Sequence, residues 1–261
     1  MKAYQQKYTV LASDMDITYH ITPNATLLYF QDCFARFLTK HHLAAFDIIK
    51  QNKIWVITEY DVDFVNEKPL WSEDIVVELW FTEISSVRIY VDFRMVNNKG
   101  EVFAKGTSCW VIIDSVTKRP FAAKEMLNDS GITDCDMKRT AIMEQCSSEK
   151  QFHKEVQHQV NVTDLDFNGH VCNRSYLSIA MATAPIEFIK TATPTRFNIK
   201  FVREAFNGEL LTCNVYRAAG SNNVYWHKIV NSAGKDICIV YSEWTTDDTG
   251  LSNDVSEQIP R

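Results

Sequence analysis

Between residues 88 and 96 the chain reads RIYVDFRMV, with Ile89, Val91, Phe93 and Met95 alternating with Arg88, Tyr90, Asp92 and Arg94. A period of two with one apolar side predicts a half-buried antiparallel strand. N-N-K-G is its turn, and EVFAKGTSCWVIID at 101–114 is the returning strand. Upstream the period changes. Leu27, Phe30, Phe34, Phe37 and Leu38 recur at spacings of three and four, which predicts a helix with one apolar face. Thr22 can cap that helix and Pro23 suits its first position. A short strand over Tyr8 to Ala12 precedes it.

The same order of elements returns later in the chain. S-D-M-D-I-T-Y-H-I at 13–21 matches T-D-L-D-F-N-G-H-V at 163–171, setting Asp14, Asp16 and His20 against Asp164, Asp166 and His170, 150 residues apart. V-N-N-K-G at 96–100 matches V-N-S-A-G at 230–234, and each glycine is followed ten residues later by a tryptophan, Trp110 and Trp244. A second helix is expected from about Asn173 to Lys190, bent or ended early by Pro185. Two tandem copies of one domain account for this. Each copy is strand, polar loop, long helix and antiparallel meander, so the helix must bury its apolar face on a curved sheet. A sheet wrapped round one helix is the hotdog arrangement, and the expectation is an α+β double hotdog. The N-terminal hotdog covers 1–120 and the C-terminal one 154–247; a polar connector at 121–153 joins them, and 248–261 is a loose tail.

Composition narrows the class. A net charge of −6 over 261 residues gives no basic stripe for a nucleic acid. The first residues have no apolar segment of the signal-peptide kind, and no stretch reaches the ~18 apolar residues of a membrane span. A cytoplasmic protein without nucleic-acid or membrane partners is expected. The seven cysteines, at 33, 109, 135, 146, 172, 213 and 238, are odd in number and form no CxxC. They read as reduced, mostly buried thiols.

The chemistry concentrates in D-L-D-F-N-G-H-V at 164–171. Asp166, Asn168 and His170 stand at every second residue, which on an extended backbone puts them on one face. That is a polar strand end or turn, or else a catalytic cluster at a helix mouth. As metal ligands, Asp166 and His170 lack a third soft partner at matching spacing. Cys172 beside His170 offers a Cys–His nucleophile, although neighbouring side chains often point apart.

With F-V-R-E-A at 201–205 and A-K-G-T-S-C-W-V at 104–111, this segment resembles the fatty acyl-ACP thioesterases of plant plastids and their bacterial relatives. The family patterns are D-x-N-x-H-V-N-N, Y-R-R-E-C and R-A-T-S-x-W-V, and the resemblance spans nearly the whole chain. It implies hydrolysis of fatty acyl-ACP to free fatty acid and ACP, with no cofactor and no metal. It places the catalytic Asp, Asn, His and Glu on Asp166, Asn168, His170 and Glu204. Two positions depart from the pattern. Ala205 stands where the family has a cysteine, and Cys172 replaces the first Asn of V-N-N.

The implied chemistry suits these groups. Asp166 or Glu204 can deprotonate water or attack the carbonyl, His170 can hold the water, and Asn168 can donate and accept. Backbone N–H groups near Gly169 and Val171 can meet a developing oxyanion, and Gly169 allows close approach. Glu204 can instead be a solvated strand residue paired with Arg203. In the first copy Thr18 replaces the asparagine, and Pro69 or a neighbour takes the position of Glu204. That copy is therefore expected to build the acyl pocket, from residues such as Leu27, Phe30 and Trp55. An acyl-CoA thioesterase, a non-catalytic acyl-binding hotdog protein and a hotdog dehydratase remain as alternatives, and a homodimer stays open. Because acyl carrier protein is acidic, a net-acidic enzyme needs a local basic patch. Lys118-Arg119, Lys138-Arg139, Lys190, Arg196, Lys200 and Arg203 are the candidates.

Overall fold

A computed structural model of the chain describes residues 3–129, 132 and 147–246. The tail expected at 248–261, the pair Lys138-Arg139, and Cys135 and Cys146 lie outside the described residues. In chain order the first half holds β1 (Tyr4–Thr9), α1 (Pro23–Lys40), the short α2 (Ala45–Ile48), β2 (Lys53–Phe64), β3 (Asp74–Ile84), β4 (Arg88–Val96) and β5 (Val102–Asp114). Two small pieces follow, β6 (Pro120–Phe121) and α3 (Lys124–Asp129). The second half holds β7 (Lys150–Gln159), α4 (Asn173–Met181), α5 (Ile186–Thr191), β8 (Ala192–Phe201), β9 (Leu210–Ala218), β10 (Val224–Asn231) and β11 (Asp236–Thr246).

The first five-stranded sheet runs β1-β3-β4-β5-β2 and the second runs β7-β9-β10-β11-β8, with every pair antiparallel. The two orders are the same once β7 is set against β1 and β8 against β2. Even the irregularities repeat: the ladder shifts at Met95/Val96 in one sheet and at Ile229/Val230 in the other. Such bulges bend a strand and tighten its twist, which lets a sheet curl round a helix. The turns repeat too. Asn97 Oδ1 accepts from the N–H groups of Lys99 and Glu101, and Asn231 Oδ1 from those of Ala233 and Lys235. Gly100 and Gly234, at φ +82 and +70, close the two turns.

Thr22 Oγ1 accepts from the Ala25 N–H at 3.1 Å, so α1 is capped as its sequence suggests. Along its apolar face Phe37 meets Tyr4 of β1 and Phe81 of β3, Phe30 meets Phe93 of β4 and Tyr60 of β2, and Phe34 meets Trp110 of β5. One helix thus touches all five strands. Leu27 and Phe30, expected in a pocket, are buried in this core; the Trp55 indole donates to the Leu43 carbonyl at 2.9 Å. In the second half Pro185 interrupts the helix, which runs as α4 and, after a break, as α5. The fold is a double hotdog.

β1 starts four residues earlier than the sequence suggests, at Tyr4, and β7 starts at Lys150, inside the stretch expected to be connector. Both are edge strands, fixed by backbone pairing to β3 and β9, so their residues need little apolar character. Ala12, expected in the first strand, sits instead in a short 3-10 turn at Ala12–Asp14. By packing, the chain divides into two compact units: 1–10 with 26–142, and 11–25 with 143–261. The first polar loop therefore groups with the second half of the chain.

Candidate active site

Asp166, Asn168 and His170 do not lie on an extended strand. The segment is a tight turn, in which Asp166 N–H donates to the His170 carbonyl at 2.9 Å and Gly169 N–H to the Asp166 carbonyl at 3.0 Å. Asp166 Oδ1 accepts from the Asn168 N–H at 2.8 Å, and its Oδ2 lies 3.4 Å from the Asn168 amide nitrogen. Gly169 takes φ +79, which glycine adopts at little cost. An extended face fails here because the short aspartate bonds its own backbone two residues on, as such turns require.

The turn is held from below by Asp164. Its carboxylate accepts from the Asn161 N–H at 3.0 Å and meets His158 Nε2 at 2.9 Å, while its carbonyl accepts from Cys172 N–H at 2.8 Å. Across from the turn runs the 202–209 loop. Val171 N–H donates to the Ala205 carbonyl at 2.9 Å, and Glu209 Oε1 accepts from Phe206 N–H at 3.1 Å. This seats Glu204 opposite His170, with Oε1 3.7 Å from Nδ1. The Phe206 ring stands edge-on to the imidazole at 5.0 Å. The four candidate residues are thus gathered in one unit, Asp166 and Asn168 bound to each other and His170 facing Glu204.

Three expectations change. Gly169 and Val171 cannot offer oxyanion donors, because both N–H groups are already bonded within the protein. Glu204 is not paired with Arg203, whose guanidinium donates to the Asp236 carbonyl at 2.7 Å. Arg196 is no surface cation: it is 2% exposed, 3.7 Å from Glu243 and packed over Tyr241. Ala205, at the family's cysteine position, is fully buried. Cys172 caps α4, with its sulfur 3.1 Å from Ser175 Oγ. Burial pushes the Cys33 and Cys213 thiols up to about 12, as inert core cysteines should behave.

The first copy repeats the turn bond for bond. Asp16 N–H donates to the His20 carbonyl, Tyr19 N–H to the Asp16 carbonyl and Thr18 N–H to Asp16 Oδ1. Tyr19 takes φ +58 where the second copy has Gly169. Thr18 Oγ1, however, lies 2.6 Å from Asp16 Oδ1 and 3.0 Å from His20 Nδ1. The ring nitrogen that faces a carboxylate in His170 meets a hydroxyl in His20. Glu73 bonds the Leu70 N–H as Glu209 bonds that of Phe206. Counting five residues back from each glutamate puts Lys68 at the position of Glu204. Lys68 is buried, with its ammonium 4.9 Å over the Phe64 ring. Sequence reading missed Phe206, Asp164 and Glu209; the recurrence of Glu73 as Glu209 was the available signal for the last.

The family model of the acyl-ACP thioesterase N-terminal domain matches residues 1–129, and that of the C-terminal domain matches residues 147–246. The chain belongs to the acyl-ACP thioesterase family. Similar curated proteins include the chloroplastic palmitoyl-acyl carrier protein thioesterase of Gossypium hirsutum, 23% identical over 63% of this chain and 41% of that protein. The chloroplastic oleoyl-acyl carrier protein thioesterase 2 of Arabidopsis thaliana is 23% identical over 80% of this chain. The chain spans only about 61% of that relative's length. Among solved structures, an acyl-ACP thioesterase from Bacteroides thetaiotaomicron superposes with a TM-score of 0.79 at 17% identity, over 94% of this chain and 98% of that one. The 12:0-ACP thioesterase of Umbellularia californica gives 0.77 at 16% identity, with 94% and 98% covered. These two likenesses bear on the fold. Among the described residues of this acyl-ACP thioesterase family member, no helix is long and apolar enough to cross a membrane, and no cluster of three His, Cys, Asp or Glu could hold a metal ion.

Proposed function

We propose that this chain hydrolyses the thioester of fatty acyl-ACP, releasing free fatty acid and ACP, through Asp166, Asn168, His170 and Glu204. The observation that carries the reading is the juxtaposition of His170 Nδ1 and Glu204 Oε1 at 3.7 Å, in a chain whose two halves each match the family. That separation is longer than a hydrogen bond and leaves both groups able to engage water. Glu204 takes a proton from the water, and the oxygen adds to the thioester carbonyl carbon. Collapse of the tetrahedral intermediate breaks the C–S bond, and the carrier thiolate recovers the proton by way of Glu204 and His170. Asp166 locks the turn that presents His170, and the exposed Asn168 amide donates to the carbonyl oxygen. With Ala205 buried and Cys172 at a helix cap, the nucleophile is oxygen.

The test is incubation with acyl-ACPs of graded chain length beside the matching acyl-CoAs, with free acid measured. Faster release from acyl-ACP is expected. Equal or faster turnover of acyl-CoA at every length moves the reading to an acyl-CoA thioesterase, and no release from either leaves an acyl-binding protein.

A further inference from the structure

The two copies differ under their helices. In the first, Phe30 stacks on Phe93 with centroids 3.9 Å apart, and Phe34 packs on Trp110 at 4.6 Å. The repeat spacings put Ala180, Ala184, His227 and Trp244 at these four positions. The tryptophan is kept while three phenylalanines become two alanines and a histidine. In the space so vacated, within the second unit, is a cavity of about 90 Å³ between the α4–α5 break and the sheet, walled by Ala180, Ala184, Phe188, Val215, His227 and Trp244.

His227 is 7% exposed, and its Nδ1 has no hydrogen-bond partner in the protein. Burial holds the imidazole neutral, dropping its pKa to about 4; the Val240 backbone works against that shift and the nearby Lys154 ammonium works with it. A neutral ring that donates through one nitrogen presents the other as an acceptor. Lys154, also on the cavity wall, donates to the Thr183 carbonyl and has further N–H groups to offer. The polar end of the cavity thus wants a group that donates and accepts at once. A hydroxyl does both. The volume corresponds to about three waters at ~30 Å³ each, and His153, Thr183 and Tyr225 complete the polar part of the wall.

We propose that this cavity is a binding site for a small apolar molecule carrying one hydroxyl group, an aliphatic alcohol or a phenol. The hydroxyl pairs with the His227 imidazole and accepts from Lys154, and the apolar body lies against Trp244, Phe188 and Val215.

The full chain is titrated with 4-fluorophenol and with 4-fluorotoluene, followed by fluorine NMR, and n-butanol is added as a competitor. The phenol should bind at least tenfold more tightly than the toluene. Displacement by butanol marks an aliphatic ligand as equally acceptable; retention of the phenol marks an aromatic one, and both support the site. His227→Phe, the first copy's residue, should erase the preference for the hydroxyl. Ala180→Phe should abolish binding; because it can overpack the helix, Ala180→Val is run beside it and should weaken binding severalfold. Equal affinity for the two fluorinated probes, no binding of either, or phenol binding unchanged in the His227 and Ala180 variants overturns the assignment.

Discussion

At the scale of single residues, the two histidines of the repeat differ in what they face. His170 faces a carboxylate and His20 faces Thr18. On the proposed mechanism, His170→Ala or Glu204→Ala lowers kcat by roughly 10²–10⁴, the usual scale for losing a positioned acid–base group. His20→Ala leaves kcat within a few-fold, and Cys172→Ala is mild. Steady-state rates of the four purified variants check this, and loss of turnover in folded Cys172→Ala with Glu204→Ala spared defeats the oxygen mechanism. Gly106 is the corresponding test of packing. A Cβ there would lie 2.1 Å from the Asp61 carbonyl oxygen and 2.9 Å from Phe93. Gly106→Ala should therefore destabilise by about 1–3 kcal/mol or more in urea melts, because a backbone oxygen cannot swing aside. The candidate residues themselves were legible, since Asp166, Asn168 and His170 lie together in a short segment. Their arrangement was not: spacing alone does not reveal that Asp166 spends its carboxylate on the Asn168 N–H, or that a loop 34 residues after His170 brings Glu204 opposite it.

At the scale of elements, alternation and helical period served well wherever one face is buried. They gave β4 and its turn and the start of α1. They failed at β1 and β7, whose edge position lets polar residues pair by backbone alone. They also left unseen that the helix broken at Pro185 lies over a histidine. His227 carries its own consequence. Its folded pKa is lowered from 6.5 to about 4, so the unfolded chain takes up this proton first as the pH falls. Its contribution is whole above about pH 6.5 and disappears between there and pH 4, a loss of about 3 kcal/mol. Denaturation midpoints measured across that window should fall less steeply for His227→Phe than for the unaltered chain.

At the scale of the whole molecule, the charge of −6 sets a condition on the acidic carrier that the proposed function requires. With Arg196 buried, one fewer exposed cation remains for docking, while Arg203 stays exposed. If charge steers the carrier, added salt should raise KM for acyl-ACP more than it lowers kcat, and exchange of Lys138 and Arg139 for Glu should do the same at low salt. A salt-independent KM removes the electrostatic docking. The duplication also has a consequence for how the chain can be divided. Residues 11–25 pack with the second unit, where Asn24 Nδ2 donates to Ser178 Oγ at 2.6 Å, and Met15 and Ile17 share a groove with Ile186 and Ile189. A cut at the seam between the repeats would strip the second unit of a segment it owns by packing but not by sequence order. Fragment 147–246 made alone should melt lower than that unit does in the intact chain, and a peptide of residues 11–25 added in trans should recover part of the difference. The copies follow one another in sequence, yet the second unit draws residues 11–25 from within the first copy, so one cut between the copies does not part the units.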